Sequence, residues 1–554
     1  MKKILFLILA ALFFTNVFLY YSRKGEGRIE QSDRLEADVQ ELIGLETEYF
    51  EKNGIDVLVE GKSISSFGYD IEMKKDTGIY VPENFMEDVM GCSVNVYKDG
   101  SVEVDRAETE LKFSADEAEM KQKDEKTKEV YVPVSDHIQE LGYKMEYSFG
   151  DGHVNFINTD NGANLPRAYD MREHDRVTPV RDQGEYGTCW AFASLGALET
   201  ITMPAEEDIY SVDHLSKNNG YSLSLSEGGE HIMSIAYMSA WKGPVYEKDD
   251  PYGDGQTNTE LAPVKHLEEA IIIDERDDEK IKSAIYKYGG IETSIYMEMP
   301  YGDTQSPYYD SETYSYYYDG NEKPTHDLVI VGWDDDYPKE KFKNEPLSNG
   351  AYICKNSWGE EFGDKGYFYV SYEDKNICSK SIVYTKLADT DNYDNIYQAD
   401  LLGWVGQMGY GSESAYFANV YTAEKDETLE AVSFYATGKD TTFKVFIVTD
   451  FKDISSLNGG RKEIGKGETR YSGYYTVDLN QKIDLNKGQK YAIIMSIKTP
   501  GSDRPIAIEC DAGARTKDLD LTDGEGYVSN YGESWKSAEE SEANICLKAF
   551  TNDR

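Results

Sequence analysis

Hydrophobic and polar positions change their rhythm several times along the chain. Behind Lys2 and Lys3, residues Ile4 to Tyr21 form an apolar run of 18 residues that ends before Arg23-Lys24. As a helix this run would reach about 27 Å, close to the hydrocarbon thickness of a bilayer. Thr15 and Asn16 interrupt it and no clear small-x-small cleavage site follows. Residues 1–24 are therefore expected to be membrane-directing, either as an uncleaved signal anchor or as a removable signal peptide. From Glu30 to about Asn53, Leu35, Val39, Leu42, Ile43 and Phe50 recur at helical spacings and predict an amphipathic helix. Ser93 to Tyr97 and Ser101 to Asp105 alternate around Lys98-Asp99-Gly100, a hairpin signal, and the charged run from Ala115 to Lys128 reads as a solvated helix or linker. Asp151-Gly152 and Asn158 to Asn164 make a connector rich in Gly, Asn and Asp.

Beyond that connector a loop with two glycines leads into a helical run on which Phe192, Leu195 and Leu198 can face a core, and Leu328 to Trp333 reads as a strand. After about Ala388 the pattern turns to short strands: Leu429 to Tyr435, Phe443 to Thr449, Tyr474 to Leu479 and Tyr491 to Ile497, separated by turn residues. That spacing predicts an all-β sandwich. Asp389 to Asp394 imitates the start of a calcium loop, but Asp394 stands where Gly is needed and Asp400 where Glu is needed. It is read as an interdomain linker. The chain is thus expected to be multidomain α+β, divided as 1–24, 25–163, 164–387 and 388–554.

Charge narrows the possible partners. With 57 Lys and Arg against 103 Asp and Glu in 554 residues, the net charge is −46, a field that repels phosphate backbones and anionic headgroups. Nucleic acid is excluded as a partner, and membrane association is expected only through the N-terminal segment. The six cysteines include no C-x-x-C pair, and the seven histidines lack the i, i+4 pairing of a helical zinc site. Neither a metal nor another cofactor is expected.

Candidate chemistry starts at Cys189, which follows Gln183-Gly-Glu-Tyr-Gly-Thr and opens the helical run, with Thr188 placed to cap it. A thiol in the first helical turn faces backbone N–H groups and the positive end of the dipole, which favour the thiolate. His326 heads the strand-like run and can accept the thiol proton and return it to a leaving amine. Asn356, within Lys355-Asn-Ser-Trp-Gly359, can hold the imidazole in one tautomer, with Trp358 beside it to exclude water.

Together these segments resemble the papain-like cysteine peptidases. Residues 165–172, Leu-Pro-Arg-Ala-Tyr-Asp-Met-Arg, are similar to the start of a mature enzyme of that family, Gln183 to Ser194 to its nucleophile loop, and Lys355 to Gly359 with Gly363 and Gly366-Tyr367 to the segment around its orienting Asn. The resemblance implies a two-lobed α+β catalytic domain over 164–387, with Cys189 as nucleophile, His326 as general acid and base, and Asn356 as orienter. It implies that Gln183 and the Cys189 N–H form the oxyanion hole, that Trp190 and Trp358 support the site, and that Gly228 and Gly229 form the backbone edge that pairs with substrate, a role for which an ordinary turn is the competing reading. Glu279 to Lys287, Gly289-Gly290 and Ile291 to Met297 resemble the family's second subdomain.

The sequence also departs from the family. Tyr186 stands where many members have a disulfide Cys, Asp327 where a small apolar residue is common, and Asp334 to Asn349 reads as a surface insertion. Asp327 is expected to favour the imidazolium. Residues 25–163 lack the helical signature of the best-known propeptides and are read as an α+β prodomain-like region. The segment from 388 resembles the lectin-like β domains that follow papain-like domains in surface and secreted proteins of some Gram-positive bacteria, with Trp404 and Trp535 as candidate sugar-stacking rings. The resemblance implies an extracellular or cell-surface endopeptidase made as a zymogen, acting on polypeptides and contacting cell-wall or host glycan through its last domain. Two readings compete: an adhesin that keeps the peptidase fold as a scaffold, and peptide-bond formation or cell-wall cleavage with the same nucleophile. Cys510 with Cys546 is the one disulfide considered.

Overall fold

The structure, a computed structural model, describes residues 56–59, 62–63, 71–74, 78–88, 90, 92–106, 109–122, 128–135, 137–148, 153–158, 165–299, 301 and 305–554. The membrane-directing segment over 1–24 and the amphipathic helix expected between Glu30 and about Asn53 lie outside the described residues. Among the described residues no helix is long and apolar enough to cross a membrane. The chain divides into two compact units, Met1–Thr159 and Asp160–Arg554.

In the first unit the described residues form three small sheets and the helix Glu83–Asp88 around Ile79, Val81, Phe85, Met86, Val104, Val132 and Phe156. The hairpin forms as Ser93–Val96 against Val102–Arg106, with Ser93 opposite Asp105. The described residues of the charged run from Ala115 are not helical: Glu119–Gln122 is a strand paired with Lys128–Pro133. Its charges find opposite partners there, Glu119 with Lys74 and Lys121 with Glu72, which stabilises a strand that charge patterning alone disfavours.

The second unit begins with helices α1 (Cys189–Glu199), α2 (Val212–Asn218) and α3 (His231–Ser239), followed by strand β1 (His266–Ile273) and helix α4 (Asp278–Tyr288). Strands β2 (Ile291–Ile295), β3 (His326–Asp334), β4 (Ala351–Lys355), β5 (Tyr367–Ser371) and β6 (Ser381–Ala388) complete a second lobe. Helix α1 is buried on every face from Trp190 to Glu199, so it shows no apolar stripe. It lies close on β3: a Cβ at Gly196 would stand 3.3 Å from Val329 Cγ2. Asp277 caps α4 by accepting from the Lys280 N–H. Gly289, at φ +132°, lets the turn into β2 approach Thr200, where a Cβ would meet Oγ1 at 2.5 Å.

The sheet does not stop at residue 388. Strands β7 (Glu427–Ala436), β8 (Thr441–Val448), β9 (Ser472–Leu485) and β10 (Leu547–Asp553) follow, and the order β5-β4-β3-β2-β6-β1-β9-β7-β10 belongs to one 13-stranded sheet. The join is β1 against β9, antiparallel, Glu269 opposite Tyr475 through Ile272 opposite Ser472. A six-stranded sheet containing β8 packs on β7, with Phe434 and Phe443 ring centroids 4.9 Å apart, which makes the expected sandwich. All four runs read as strands coincide with strands, the second overrunning its strand by Thr449 and the last lying in Lys490–Lys498. A single core cluster runs from Leu195 and Ile330 to Phe434 and Met495. The segment 334–349 is more than a surface insertion, because Tyr337 and Phe342 are buried against Ala351 and Tyr337 stacks on Tyr369 at 4.5 Å.

Candidate active site

Cys189 is the first residue of α1, half-buried, and faces a cleft of about 710 Å³ between the helical lobe and the sheet. His326, the first residue of β3, lines the same cleft, as do Trp190, Gly228 and Gly229. His326 Nε2 donates to Asn356 Oδ1 at 2.7 Å, which leaves Nδ1 as the basic nitrogen. Asn356 is fixed in turn, its Oδ1 accepting from the Ser357 N–H at 2.8 Å and its own N–H donating to Gly366 O at 2.9 Å. The Trp358 ring lies 4.9 Å from the imidazole centroid and is itself buried, so it keeps water from the His326–Asn356 bond.

Gln183 reaches the site through Ser357. Ser357 Oγ donates to Gln183 Oε1 at 2.7 Å, and the Gln183 N–H donates to Ser357 O at 2.8 Å. Gln183 Nε2 donates one hydrogen to Tyr186 O at 2.7 Å; a carboxamide carries two. Thr188 does not cap α1 as expected. Its hydroxyl instead pairs with Tyr252 OH at 2.7 Å, and Tyr252 OH donates to Gln183 O at 2.8 Å, which holds the nucleophile loop from beneath.

The Gly228-Gly229 pair follows a turn over 225–227 and lines the cleft. A Cβ at Gly229 would stand 2.3 Å from Trp190 Cε2, so the indole fills the space a side chain would need and the backbone is laid bare to the cleft. Gly228 has φ +79°. The loop is tied to the nucleophile segment where the Gly187 N–H donates to Leu225 O at 2.8 Å.

Opposing influences act on the thiol and the imidazole. Burial, reinforced by the Asp327 carboxylate, pushes the Cys189 thiol up to about 12, although backbone N–H groups of Asp327, Trp190 and Cys189 itself act to lower it. Burial holds His326 down to about 4, with the Asn356 bond opposing. Burial thus opposes the charged form of both groups, while the backbone N–H groups at the helix tip and the Asn356 bond favour it. Asp327 accepts from Ser294 Oγ rather than pairing with the imidazole; it is half-buried at the cleft wall, and desolvation raises its carboxyl to about 6.

Several site residues were not among the sequence candidates. Ser357 stands inside the quoted Asn motif but carried no chemical role there. Lys355, fully buried, donates to Thr178 O at 2.7 Å and Oγ1 at 2.9 Å, and burial lowers it to about 8. Glu199 at the end of α1 pairs with Arg181 at 3.0 Å, bracing the segment before the loop. The cleft walls carry Glu230, His231, Ser294, Asp327 and Lys380, a polar set that hydrophobic patterning does not single out. All six cysteines are free, so the Cys510–Cys546 bridge is not formed, and Tyr186 is exposed. Trp535 is buried with Nε1 on Asn458 Oδ1 at 3.1 Å, so its ring is no sugar platform, while Trp404 is half-buried and packs on Tyr435.

Residues 165–386 match the family model described as papain family cysteine protease, and residues 396–551 match the lectin like domain. The chain carries a papain-family cysteine protease domain followed by a lectin-like domain. The same pair of domains occurs in Cwp84, a surface-layer-associated protein of Clostridium difficile: a structure of its cysteine protease and lectin-like domains is 26% identical, covers 70% of this chain and 88% of that one, and has a TM-score of 0.60. A propeptide-cleaved form of the same clostridial protease covers 99% of its own chain and 70% of this one, at 26% identity and a TM-score of 0.63. Cysteine proteinase 15A of Pisum sativum is 28% identical over 248 residues, and cathepsin K of Gallus gallus 28% over 234. These alignments take in 42% and 40% of this chain, and the chain spans 64% and 63% of those relatives' lengths. The papain-family domain is the part that holds Cys189, His326 and Asn356.

Proposed function

We infer that the protein is a cysteine endopeptidase that hydrolyses extended polypeptides at or outside the cell surface. One observation carries the reading: a nucleophilic thiol and an Asn-held imidazole line the same open cleft as a bare glycine edge suited to pairing with a peptide main chain. The lectin-like domain and the likeness to a surface-layer-associated protease support the location, and the lectin-like domain supports contact with a glycan.

In this reading the Cys189 proton passes to His326 Nδ1 as sulfur attacks the scissile carbonyl carbon. The oxyanion accepts from the Cys189 N–H and the second Gln183 amide hydrogen. Collapse breaks the C–N bond, the imidazolium gives its proton to the leaving amine, and water deprotonated by the same imidazole then hydrolyses the thioester, returning the proton to sulfur. Asn356 holds the ring through both steps.

An epoxide-type thiol inhibitor followed by mass spectrometry tests this. An adduct on Cys189 and loss of peptide hydrolysis in Cys189→Ala are expected. Folded protein that carries no adduct would support an adhesin, and undiminished hydrolysis by Cys189→Ala would overturn the mechanism. Product analysis separates hydrolysis from peptide-bond formation. Residues 25–163 are read as a prodomain, tested by determining the N-terminus of the active form.

A further inference from the structure

The glycine edge is held from outside the papain-family domain. It lies in the loop between Tyr221 and Glu230, and both ends of that loop are bonded to the lectin-like domain around the short 3-10 turn Gly513–Thr516. At one end the Ser222 N–H donates to Arg515 O at 2.9 Å and Ser222 Oγ donates to Asp518 Oδ2 at 2.7 Å. Beside it the Arg515 guanidinium lies 5.9 Å from the Tyr221 ring centroid, and Tyr221 OH donates to Leu402 O at 2.7 Å. At the other end Arg515 Nη1 donates to Glu230 Oε1 at 2.9 Å. Glu230 occupies the N-cap position of α3 yet its side chain makes no capping bond; the carboxylate turns to Arg515 instead. Gly228 and Gly229 immediately precede that residue, and Glu230 itself lines the cleft.

We propose that Arg515 is a positioning residue for substrate: by gripping Ser222 and Glu230 it sets the line of the Gly228-Gly229 backbone, so that the lectin-like domain governs how tightly the peptidase cleft holds a peptide. This rests on the reading of that edge as the substrate strand. Arg515 touches neither Cys189 nor His326, so its effect belongs to binding of the extended chain and not to the bond-breaking step. Main-chain pairing needs its N–H and C=O groups aligned within hydrogen-bond geometry, and a free loop loses that alignment.

The test uses the full chain with Arg515→Gln, Arg515→Lys and the exchange Glu230→Arg with Arg515→Glu. Four quantities are read: KM and kcat for a peptide long enough to cover the edge, the rate of Cys189 alkylation by iodoacetamide, and the thermal midpoint. Arg515→Gln is expected to raise KM by roughly fivefold to tenfold, the equivalent of one main-chain hydrogen bond, with kcat, alkylation and midpoint unchanged. Arg515→Lys and the exchange are expected to recover part of that loss. An unchanged KM, or a rise in KM accompanied by falls in kcat, alkylation rate and midpoint, would overturn the proposal, the second marking Arg515 as a plain structural strut. Should Arg515→Gln not fold, Asp518→Ala removes the acceptor of the Ser222 hydroxyl and must still raise KM; if it does not, the proposal fails. No turnover by the unsubstituted protein is a failure of the peptidase reading, seen before any variant is made. In that event the same peptide's affinity is measured directly, and Arg515→Gln must weaken it for the proposal to stand.

Discussion

Replacing Asn356 by Ala tests how far the site depends on one buried hydrogen bond. In the intact protein Asn356 Oδ1 accepts from His326 Nε2 at 2.7 Å beneath Trp358, where no solvent can substitute for it. The bond raises the His326 pKa against the burial that holds it down to about 4. Without it the imidazole falls further, the ring loses its fixed rotation, and proton transfer from Cys189 becomes less favourable. A hydrogen bond to a group that becomes charged contributes about 1.5–3 kcal/mol, so kcat/KM should drop by about 10- to 150-fold. The assay pairs steady-state peptide hydrolysis with the iodoacetamide alkylation rate of Cys189 at neutral pH, and both are expected to fall in the same proportion. Asn356→Asp should move the acid limb of both profiles to higher pH, because a carboxylate favours the imidazolium. A folded Asn356→Ala protein whose two rates stay within about threefold of the parent would refute the reasoning, since a factor that small is below the lower bound for such a bond.

Three further outcomes follow from the same geometry. Asp327→Asn keeps an acceptor for Ser294 but removes a charge that pushes Cys189 up, so the alkaline limb of alkylation should shift to lower pH. The folded Asp327 carboxyl holds its proton to about 6 while the unfolded one releases it near 3.8, so its share of stability is full below 3.8 and is lost as pH rises to about 6; chemical denaturation across that window should show a smaller loss in the variant than in the parent, the remainder coming from other buried carboxyls such as Asp374. Gln183→Ala should lower kcat by about 10²-fold with little change in KM, the mark of a donor that acts on the oxyanion. Removing residues 388–554 should yield insoluble protein in a sedimentation assay, because it strips β9 from β1 and opens the shared core along an unpaired strand edge.

The chemistry was legible along the chain because each catalytic group is announced by its neighbours. Gln183, Cys189 and Trp190 lie within one loop-to-helix segment, and Asn356 and Trp358 in another; local spacing places such groups without any knowledge of distant contacts. The strands of the sandwich were legible for a similar reason, since alternation reports which face of a strand is buried. Helix α1 was located by its glycine-rich approach, but its burial on all faces could not be read from periodicity, because a helix enclosed on every side has no polar face. The run after Ala115 was misread because charge patterning weighs residues next to one another, whereas Glu119 and Lys121 are neutralised by residues far away in sequence.

Tertiary structure alone decided three matters. It placed Cys189 where burial raises its thiol, a balance between desolvation and backbone N–H groups that depends on what packs above the helix tip. It showed that Gly229 is bare because Trp190 occupies the space of its missing side chain. It joined the two matched domains into one sheet and one core, and brought Arg515 to Glu230 across 285 positions of sequence. Sequence by itself determined which groups could react, since reactivity is a property of residue type and near neighbours. Their protonation, their alignment and the domain that holds the substrate edge depend on distances between remote segments, which only the folded chain brings together.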